Sequence, residues 1–284
     1  MHDPWSTHGG GRPCRASLRP ALTFALRPAD AADYPVFARL FPELGVADPV
    51  PTPEQFASRM LPHVVLLEQD GEALGYSFWQ LYGRKAHVVH VVVDPSARGR
   101  GAGRALMQEV LGRVQAQGCE RWYLNVKQDN APAIALYRRC GMSIEHEGWA
   151  TRITWANLAT LPEAPGGTVA YTLEGSDDAV IPASLGVDAE RLALLRTRQD
   201  VVLLAVREAN EPVAVAAFDP AFPGVYPIRV ARPELARSVF DALRPSARHE
   251  HVYVTVEGDR ALYDRLSTAG GELLHAFYRM SAPL

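Results

Sequence analysis

The sequence has few cysteines, no long apolar run and almost no net charge, and each absence excludes a class of protein. Three cysteines in 284 residues, all far apart, form neither a disulfide framework nor a Cys-x-x-Cys site, so we expect a reducing, cytoplasmic location. No apolar stretch approaches the roughly 20 residues of a membrane-spanning helix. A net charge of −3 gives no overall field for nucleic acid or membranes, so we expect neither as a partner, and any anion site must be local.

The length of the chain predicts two domains, because single domains usually have roughly 100 to 150 residues. The first 20 residues are rich in Gly, Pro and Arg and lack the apolar core of a signal peptide, which predicts a disordered leader. The segment "LATLPEAPGGT" has the composition of an interdomain linker. The predicted organisation is a leader at 1–20, a first domain at 21–156, a linker at 157–167 and a second domain at 168–284.

Strand and helix patterns alternate in the first domain. Apolar runs rich in β-branched residues, separated by turn signals, predict an antiparallel meander at 63–69, 73–82 and 86–93. An amphipathic helix follows and ends at Gly118, and a strand then leads to a short helix between Asn130 and Gly141. This order predicts an α/β (α+β) domain whose mixed, mostly antiparallel central sheet is flanked by helices.

Short segments of the first domain recur in the second, in the same order. "VVLL" occurs at 64–67 and 201–204, "WYLNV" is echoed by "VYVTV", and "ALYRR" is echoed by "ALYDR". Three ordered echoes indicate a duplicated unit. The second copy has no glycine-rich segment between "IRVARP" and "ELARSVFDAL".

Glycines and arginines are concentrated in "DPSARGRGAGRAL", residues 94–106, between a predicted strand and a predicted helix. The first N–H groups of a helix have no partner within it and attract anions, and glycines let a phosphate approach them closely. The alternative is a flexible turn whose arginines are merely solvated. A P-loop is excluded because Arg104-Ala105 stands where Lys-Ser or Lys-Thr is needed, and a dinucleotide fingerprint lacks its third glycine.

The pattern Arg98-x-x-Gly101-x-Gly103, preceded by "VVVDP" and followed by an amphipathic helix, resembles the GNAT superfamily of N-acetyltransferases. The resemblance covers residues 22 to about 156 and includes "NVKQDNAPAIALYRRCGM", which looks like the second motif of the family. With the internal repeat, it implies a tandem protein of two GNAT-like domains. The second domain would be a degenerate copy that has lost the phosphate loop.

The resemblance implies that acetyl-CoA is the cofactor. The loop N–H groups would hold its pyrophosphate, Val91 and Val93 would pair with the pantetheine arm, and the N–H of Val91 or Val92 would polarise the thioester carbonyl. Asn130 resembles a pantetheine or phosphate contact, and it is also the expected N-cap of the next helix. The expected cofactor-binding residues are Val91, Val92, Val93, Arg98, Gly99, Arg100, Gly101, Ala102, Gly103, Arg104 and Asn130.

The catalytic residues implied are one tyrosine and one of two histidines. Tyr137 looks like the general acid of the family toward the departing thiolate, and the alternative is a helix tyrosine that packs on the sheet. His87 or His90 could serve as the base, directly or through water, or each could be a core histidine. Three positions apart on a strand, they are expected to point to opposite faces and therefore to form no metal pair. No metal site is expected.

The expected function is transfer of an acetyl group from acetyl-CoA to an amine of a small molecule, directly in a ternary complex in the first domain. The alternatives are a non-catalytic acyl-CoA sensor or interaction module, and an acetyltransferase of protein N-termini or lysines. The second domain is expected to have a structural role, such as shaping the acceptor cleft. The oligomeric state is expected to be a monomer or a homodimer.

Overall fold

The structure is a computed structural model that describes residues 24–46, 49–164 and 166–284. The predicted leader at 1–20 lies outside this part of the chain. The strands are β1 (Ala25–Pro28), β2 (Val64–Gln69), β3 (Glu72–Tyr82), β4 (Lys85–Val93), β5 (Arg121–Lys127), β6 (Ser143–Thr154), β7 (Thr168–Thr172), β8 (Val202–Glu208), β9 (Glu211–Asp219), β10 (Gly224–Val230), β11 (His251–Glu257) and β12 (Glu272–Pro283). The helices are α1 (Tyr34–Leu40), α2 (Pro53–Gln55, continued by a wider turn over Phe56–Met60), α3 (Ala102–Ala116), α4 (Ala131–Arg139), α5 (Trp155–Leu158), α6 (Val180–Leu185), α7 (Ala189–Arg196), α8 (Ala236–Leu243) and α9 (Arg260–Thr268).

All these strands belong to one continuous sheet, in the order β1-β2-β3-β4-β5-β12-β6-β11-β10-β9-β8-β7. Neighbouring strands are antiparallel except for the pairs β4 with β5 and β10 with β11, which are parallel. The predicted fold class, a mixed and mostly antiparallel sheet flanked by helices, is therefore confirmed. The predicted meander corresponds to β2, β3 and β4. The first residue of each strand differs from the prediction by one position, and the last residue agrees.

The two halves of the chain are joined by exchanged strands at the centre of the sheet. β12, the final strand of the second half, lies between β5 and β6 of the first half, and β6 in turn pairs with β11. Exchanging each strand of the first half with its counterpart in the second half reverses the order β5-β12-β6-β11, so the topology of the sheet has a pseudo-twofold symmetry between β12 and β6. The contact is close, because a Cβ atom at Gly148 would lie 2.3 Å from the Phe277 ring.

The helices divide between the two faces of the sheet according to where apolar side chains point. Leu106 of α3 and Ile134 of α4 are buried in one core on the first face, and Val239 of α8 and Leu262 of α9 in another. Met280 and Ala276, on the same side of β12, contact the first and the second of these cores respectively, so both cores lie on one face. Helices α1, α2, α6 and α7 cover the opposite face. Among the helices of the described residues, none is long and apolar enough to cross a membrane.

Candidate active site

The Gly/Arg stretch forms a tight loop at the start of α3. Gly99 and Gly101 have φ values of 72° and 92°, a region that residues with a Cβ rarely adopt, and α3 begins at Ala102 with no side-chain cap. The next backbone hydrogen bond runs from Ala105 N to Gly101 O. The six N–H groups of residues 99–104 bond to no described residue. They are therefore available to an anion at the positive end of the helix dipole.

The three arginines of the loop have different roles. Arg98 donates to the Glu43 carboxylate at 2.5 Å and to the carbonyl of Val93 at 3.0 Å. Arg100 donates to the side-chain oxygen of Gln69 at 2.7 Å. Arg104 is exposed in the first turn of α3 and pairs with no carboxylate of the described residues. Arg98 and Arg100 thus brace the loop, and Arg104 provides the unpaired charge.

Beside this loop, β4 and β5 separate and leave a wedge-shaped gap in the sheet, here called the wedge. β4 and β5 pair from Lys85 with Arg121 to Val88 with Leu124, and beyond Val88 the strand is bonded only to β3. The N–H of Asp94 donates to Leu74 O on β3, so by alternation Val91 and Val93 direct their backbone groups away from β3 and into the wedge. Arg98 already occupies the carbonyl of Val93. An extended ligand could pair with Val91 and the N–H of Val93, whereas Val92 faces β3.

The loop, the wedge and α4 meet at Gly103. A Cβ atom at Gly103 would lie 3.0 Å from Leu136 Cδ2 and 3.9 Å from Val93 Cγ2. Tyr137 follows Leu136, is buried in the core under α3 and α4, and its hydroxyl bonds to no described residue. Burial raises the pKa of this hydroxyl above its ordinary value of 10.0, and the neighbouring Cys140 contributes. Tyr137 is therefore protonated at neutral pH and has a proton to donate.

The two candidate histidines lie on one face of the sheet, and the expectation that they point to opposite faces is wrong. His87 is paired with Gln80 and His90 with Phe78 across β3 and β4, with a β-bulge between the two pairs. Gln80 and Phe78 are two apart and share a face, and directly paired residues do so as well. The extra residue of the bulge shifts the alternation by one position and brings both histidines to the face opposite Tyr137.

The surroundings of the histidines differ. His90 is packed against Phe41 and Phe78, and its Nδ1 lies 3.3 Å from the hydroxyl of Tyr76. His87 stacks on the Tyr123 ring at 4.6 Å, and its Nδ1 is buried without a hydrogen-bond partner among the described residues. Burial lowers the pKa of His87 to about 3 and that of His90 to about 4. Both are neutral at pH 7, and His87 has a free lone pair or N–H.

Asn130 has a structural role as well, and the two described cysteines are not activated for catalysis. The side chain of Asn130 accepts a hydrogen bond from Ala133 N at 3.2 Å and caps α4. Cys119 and Cys140 are free thiols, and burial raises the pKa of each, so neither is an activated nucleophile. No group of three or more potential metal ligands occurs among the residues whose positions are described.

The second half has no equivalent of the glycine loop. After β10, the chain passes through a short 3₁₀ turn, Pro233–Leu235, directly into α8, and none of its residues has a positive φ. Glu234 stands in this first turn and pairs with Arg265 at 2.6 Å. A carboxylate thus occupies the helix start where the first half exposes N–H groups.

A cavity of about 640 Å³ lies between the two halves, and sequence reasoning missed it. Tyr123 of β5, Arg191 of α7, Tyr226 of β10, Glu257 of β11 and Arg279 of β12 line it. These residues come from five elements spread over more than 150 positions, so no local sequence pattern indicates them. Because His87 stacks on Tyr123, the cavity adjoins the closed end of the wedge.

The chain matches one protein family. Residues 33–142 match the acetyltransferase (GNAT) family. An 80-residue segment is 40% identical to the mycothiol acetyltransferase of Clavibacter michiganensis, covering 28% of this chain and 26% of that protein. A 77-residue segment is 31% identical to the [ribosomal protein bS18]-alanine N-acetyltransferase of Escherichia coli, covering 27% and 52%. The matches therefore span only about a quarter to a half of these relatives' own length.

Solved structures match nearly the whole chain. A GCN5-related N-acetyltransferase from Sphaerobacter thermophilus matches with a TM-score of 0.67 at 21% identity, over 92% of this chain and 95% of that chain. A tandem GNAT protein from the clavulanic acid biosynthesis pathway matches with a TM-score of 0.59 at 17% identity, over 92% and 98%. At these identities the likeness concerns the fold alone. Residues 33–142 thus match the acetyltransferase (GNAT) family, and the fold of the chain as a whole is similar to that of a tandem GNAT protein.

Proposed function

We propose that this protein is an acetyl-CoA-dependent N-acetyltransferase that acts on an amine of a small molecule, with its active site in the first half. One observation carries the proposal. Six unpaired N–H groups at residues 99–104 lie next to a part of β4, at Val91 and Val93, that is paired with β3 on one side and with no strand on the other. The first feature suits a pyrophosphate, and the second suits an extended, amide-containing arm. Coenzyme A has both parts in this order.

The residues beside the wedge suit direct transfer of an acetyl group. The amine nitrogen attacks the thioester carbonyl, the C–S bond breaks, and the thiolate takes the proton of Tyr137 from one face of the sheet. The N–H of Val91 is directed into the wedge and would polarise the carbonyl oxygen. His87, on the opposite face, would accept the proton that the attacking nitrogen loses as the amide forms, directly or through water. Burial lowers the pKa of His87, so its imidazole is unprotonated, and the acceptor amine would have to arrive neutral.

The second half would shape the acceptor site without binding acetyl-CoA itself. Helix α7 of the second half lies against the β3–β4 hairpin of the first, where Lys85 pairs with Asp188 at 2.5 Å. Gly83 in this hairpin approaches Glu190 so closely that a Cβ atom would lie 2.8 Å from Glu190 Cγ. This helix covers the face on which His87 lies, which favours a small acceptor over a protein chain. Glu234 would repel a phosphate at the start of α8.

The test is release of coenzyme A from acetyl-CoA in the presence of a panel of small amines and of peptides with free N-termini. We expect thiol release with one or more small amines and an acetylated product detected by mass spectrometry. A protein that only senses acyl-CoA would bind it and release no thiol with any amine. Turnover of peptides alone would instead favour the activity named for the Escherichia coli relative.

A further inference from the structure

The cavity between the halves contains more buried positive charge than negative charge. The guanidinium groups of Arg191, Arg229 and Arg279 face a single buried carboxylate, Glu257, which leaves an excess of two positive charges. Of the remaining charges that line the cavity, Lys85 pairs with Asp188 and Arg121 pairs with Glu145, whereas Asp259 caps α9 and reduces the excess over the whole lining to one positive charge. His146 Nε2 lies 3.8 Å from the Glu257 carboxylate.

Glu257 has no capacity left for a further cation. One of its oxygens accepts from the Tyr226 hydroxyl at 2.8 Å and from Asn125 at 3.2 Å. The other lies 3.1 Å from Arg279 and 3.5 Å from Arg229. These contacts hold the pKa of Glu257 well below its ordinary value despite its burial, so the carboxylate stays charged.

Arg191 is the cation left without a carboxylate. One of its five N–H groups donates to the Tyr226 hydroxyl at 3.0 Å, and no described carboxylate lies within 4.0 Å. Its guanidinium lies 4.2 Å from the Tyr226 ring centroid and 5.3 Å from that of Tyr82, which fixes its orientation. The side chain is partly buried and lines the cavity. Its other N–H groups donate to no described residue and are available to a ligand in the cavity.

The cavity adjoins the proposed acceptor position. The Tyr123 ring stacks on His87 at 4.6 Å, and the Arg279 guanidinium lies 4.1 Å from the centroid of the same ring. An acceptor whose amine reaches the wedge past His87 would place its far end among the arginines. We propose that the acceptor amine carries an anionic oxyacid group, a carboxylate or a phosphate, and that Arg191 binds it. This inference rests on the proposed function for the amine end of the ligand.

The first test is direct binding to the full chain, measured by isothermal titration. The probes are N-acetylglycine, N-acetylphenylalanine, their neutral amides, and inorganic phosphate. Charge-assisted bonds to a guanidinium predict roughly 10- to 100-fold weaker binding of the favoured anion to Arg191→Gln, with amide binding unchanged. Arg121→Gln is the matched control, since Arg121 lies at the cavity rim and is paired with Glu145; it should bind like the wild type.

The outcomes separate the possible ligands. Preference for the acids over the amides that depends on Arg191 identifies a carboxylate, and binding of inorganic phosphate alone identifies a phosphate. Equal binding of acids and amides, no binding of any anion, or equal losses in both variants would overturn the proposal. If circular dichroism shows that Arg191→Gln does not fold, Arg191→Lys is the second variant. It keeps the positive charge but cannot form the paired hydrogen bonds of a guanidinium, so anion binding should still weaken several-fold.

Turnover separates this inference from the proposed function. With amino acids and their amides as acceptors, Arg191→Gln should raise KM for the acids and leave kcat, and the KM for amides, nearly unchanged. Turnover with no preference for anionic acceptors would leave the proposed function standing and contradict the inference. Anion binding that depends on Arg191, without thiol release from any amine, would support the inference about the anion and contradict the proposed function.

Discussion

Replacing Gly101 with alanine tests the loop at the start of α3 most simply. Gly101 has a φ of 92°, and the space where a Cβ would stand is open within 4 Å. An L-residue in this region costs about 1–2 kcal/mol of backbone strain, so the variant should unfold a few degrees earlier or rearrange its loop. Either response disturbs the N–H groups of residues 99–104 or fills the space in front of them.

The effect on binding should be larger than the effect on stability. Losing one charge-assisted bond from N–H to phosphate, at about 1.5–3 kcal/mol, predicts roughly 10- to 100-fold weaker binding of acetyl-CoA. Isothermal titration measures the affinity, and thermal unfolding measures the strain.

Gly118→Ala is the matched control at the other end of the same helix. Gly118 has a φ of 75° and equally open space, so it carries a similar backbone strain without facing the proposed phosphate site. We expect both variants to lose similar stability and only Gly101→Ala to lose affinity. Unchanged affinity in Gly101→Ala, or an equal loss in Gly118→Ala, would refute the assignment of this loop.

Three further predictions concern the acid, the histidines and the strand exchange. Tyr137→Phe should lower kcat about 100-fold or more, since general acid catalysis typically contributes at least that much, and should leave acetyl-CoA affinity unchanged; unchanged kcat would remove the assignment. Burial lowers the folded-state pKa of His87 to about 3, below its ordinary 6.5, so the stability that this group contributes is present above pH 6.5 and is lost as the pH falls. Urea unfolding should show that the free energy of unfolding falls by up to about 2 kcal/mol between pH 6.5 and 5 because of this group, and His87→Gln should remove that loss. The same pH dependence of the free energy of unfolding in both proteins would contradict this prediction. Gly148→Ala should destabilise the fold by about 1–3 kcal/mol by forcing a Cβ into the Phe277 ring, whereas Gly112→Ala, in open space on α3, should be neutral or slightly stabilising in the same melts.

Local signals in the sequence were sufficient for most of the individual elements. The helix after the glycine loop, its end at Gly118 with φ of 75°, and the cap of α4 by Asn130 follow from residues within a few positions of each feature. Apolar runs rich in β-branched residues, separated by turn signals, likewise predicted β2, β3 and β4. Such features depend on backbone sterics and nearby hydrogen bonds, which short sequence windows contain.

The features that sequence reasoning missed depend on register and on long-range pairing. The run "HVVHVVV" is apolar on both sides of the bulge, so nothing in it indicates where the extra residue lies or that His87 and His90 share a face. The insertion of β12 between β5 and β6 pairs residues at least 120 positions apart. The arginine cluster of the cavity follows from that exchange, because Arg279 reaches Tyr123 and Glu257 only when β12 lies at the centre of the sheet.

Amide hydrogen exchange of the full chain with and without acetyl-CoA tests the central claim most directly. The two halves provide an internal comparison, because the start of α3 has unpaired N–H groups and the start of α8 has Glu234. We predict that acetyl-CoA slows exchange in peptides covering residues 98–106 and leaves the corresponding peptides at 230–238 unchanged. Unchanged exchange at 98–106, or equal protection at both helix starts, would contradict a single acetyl-CoA site in the first half.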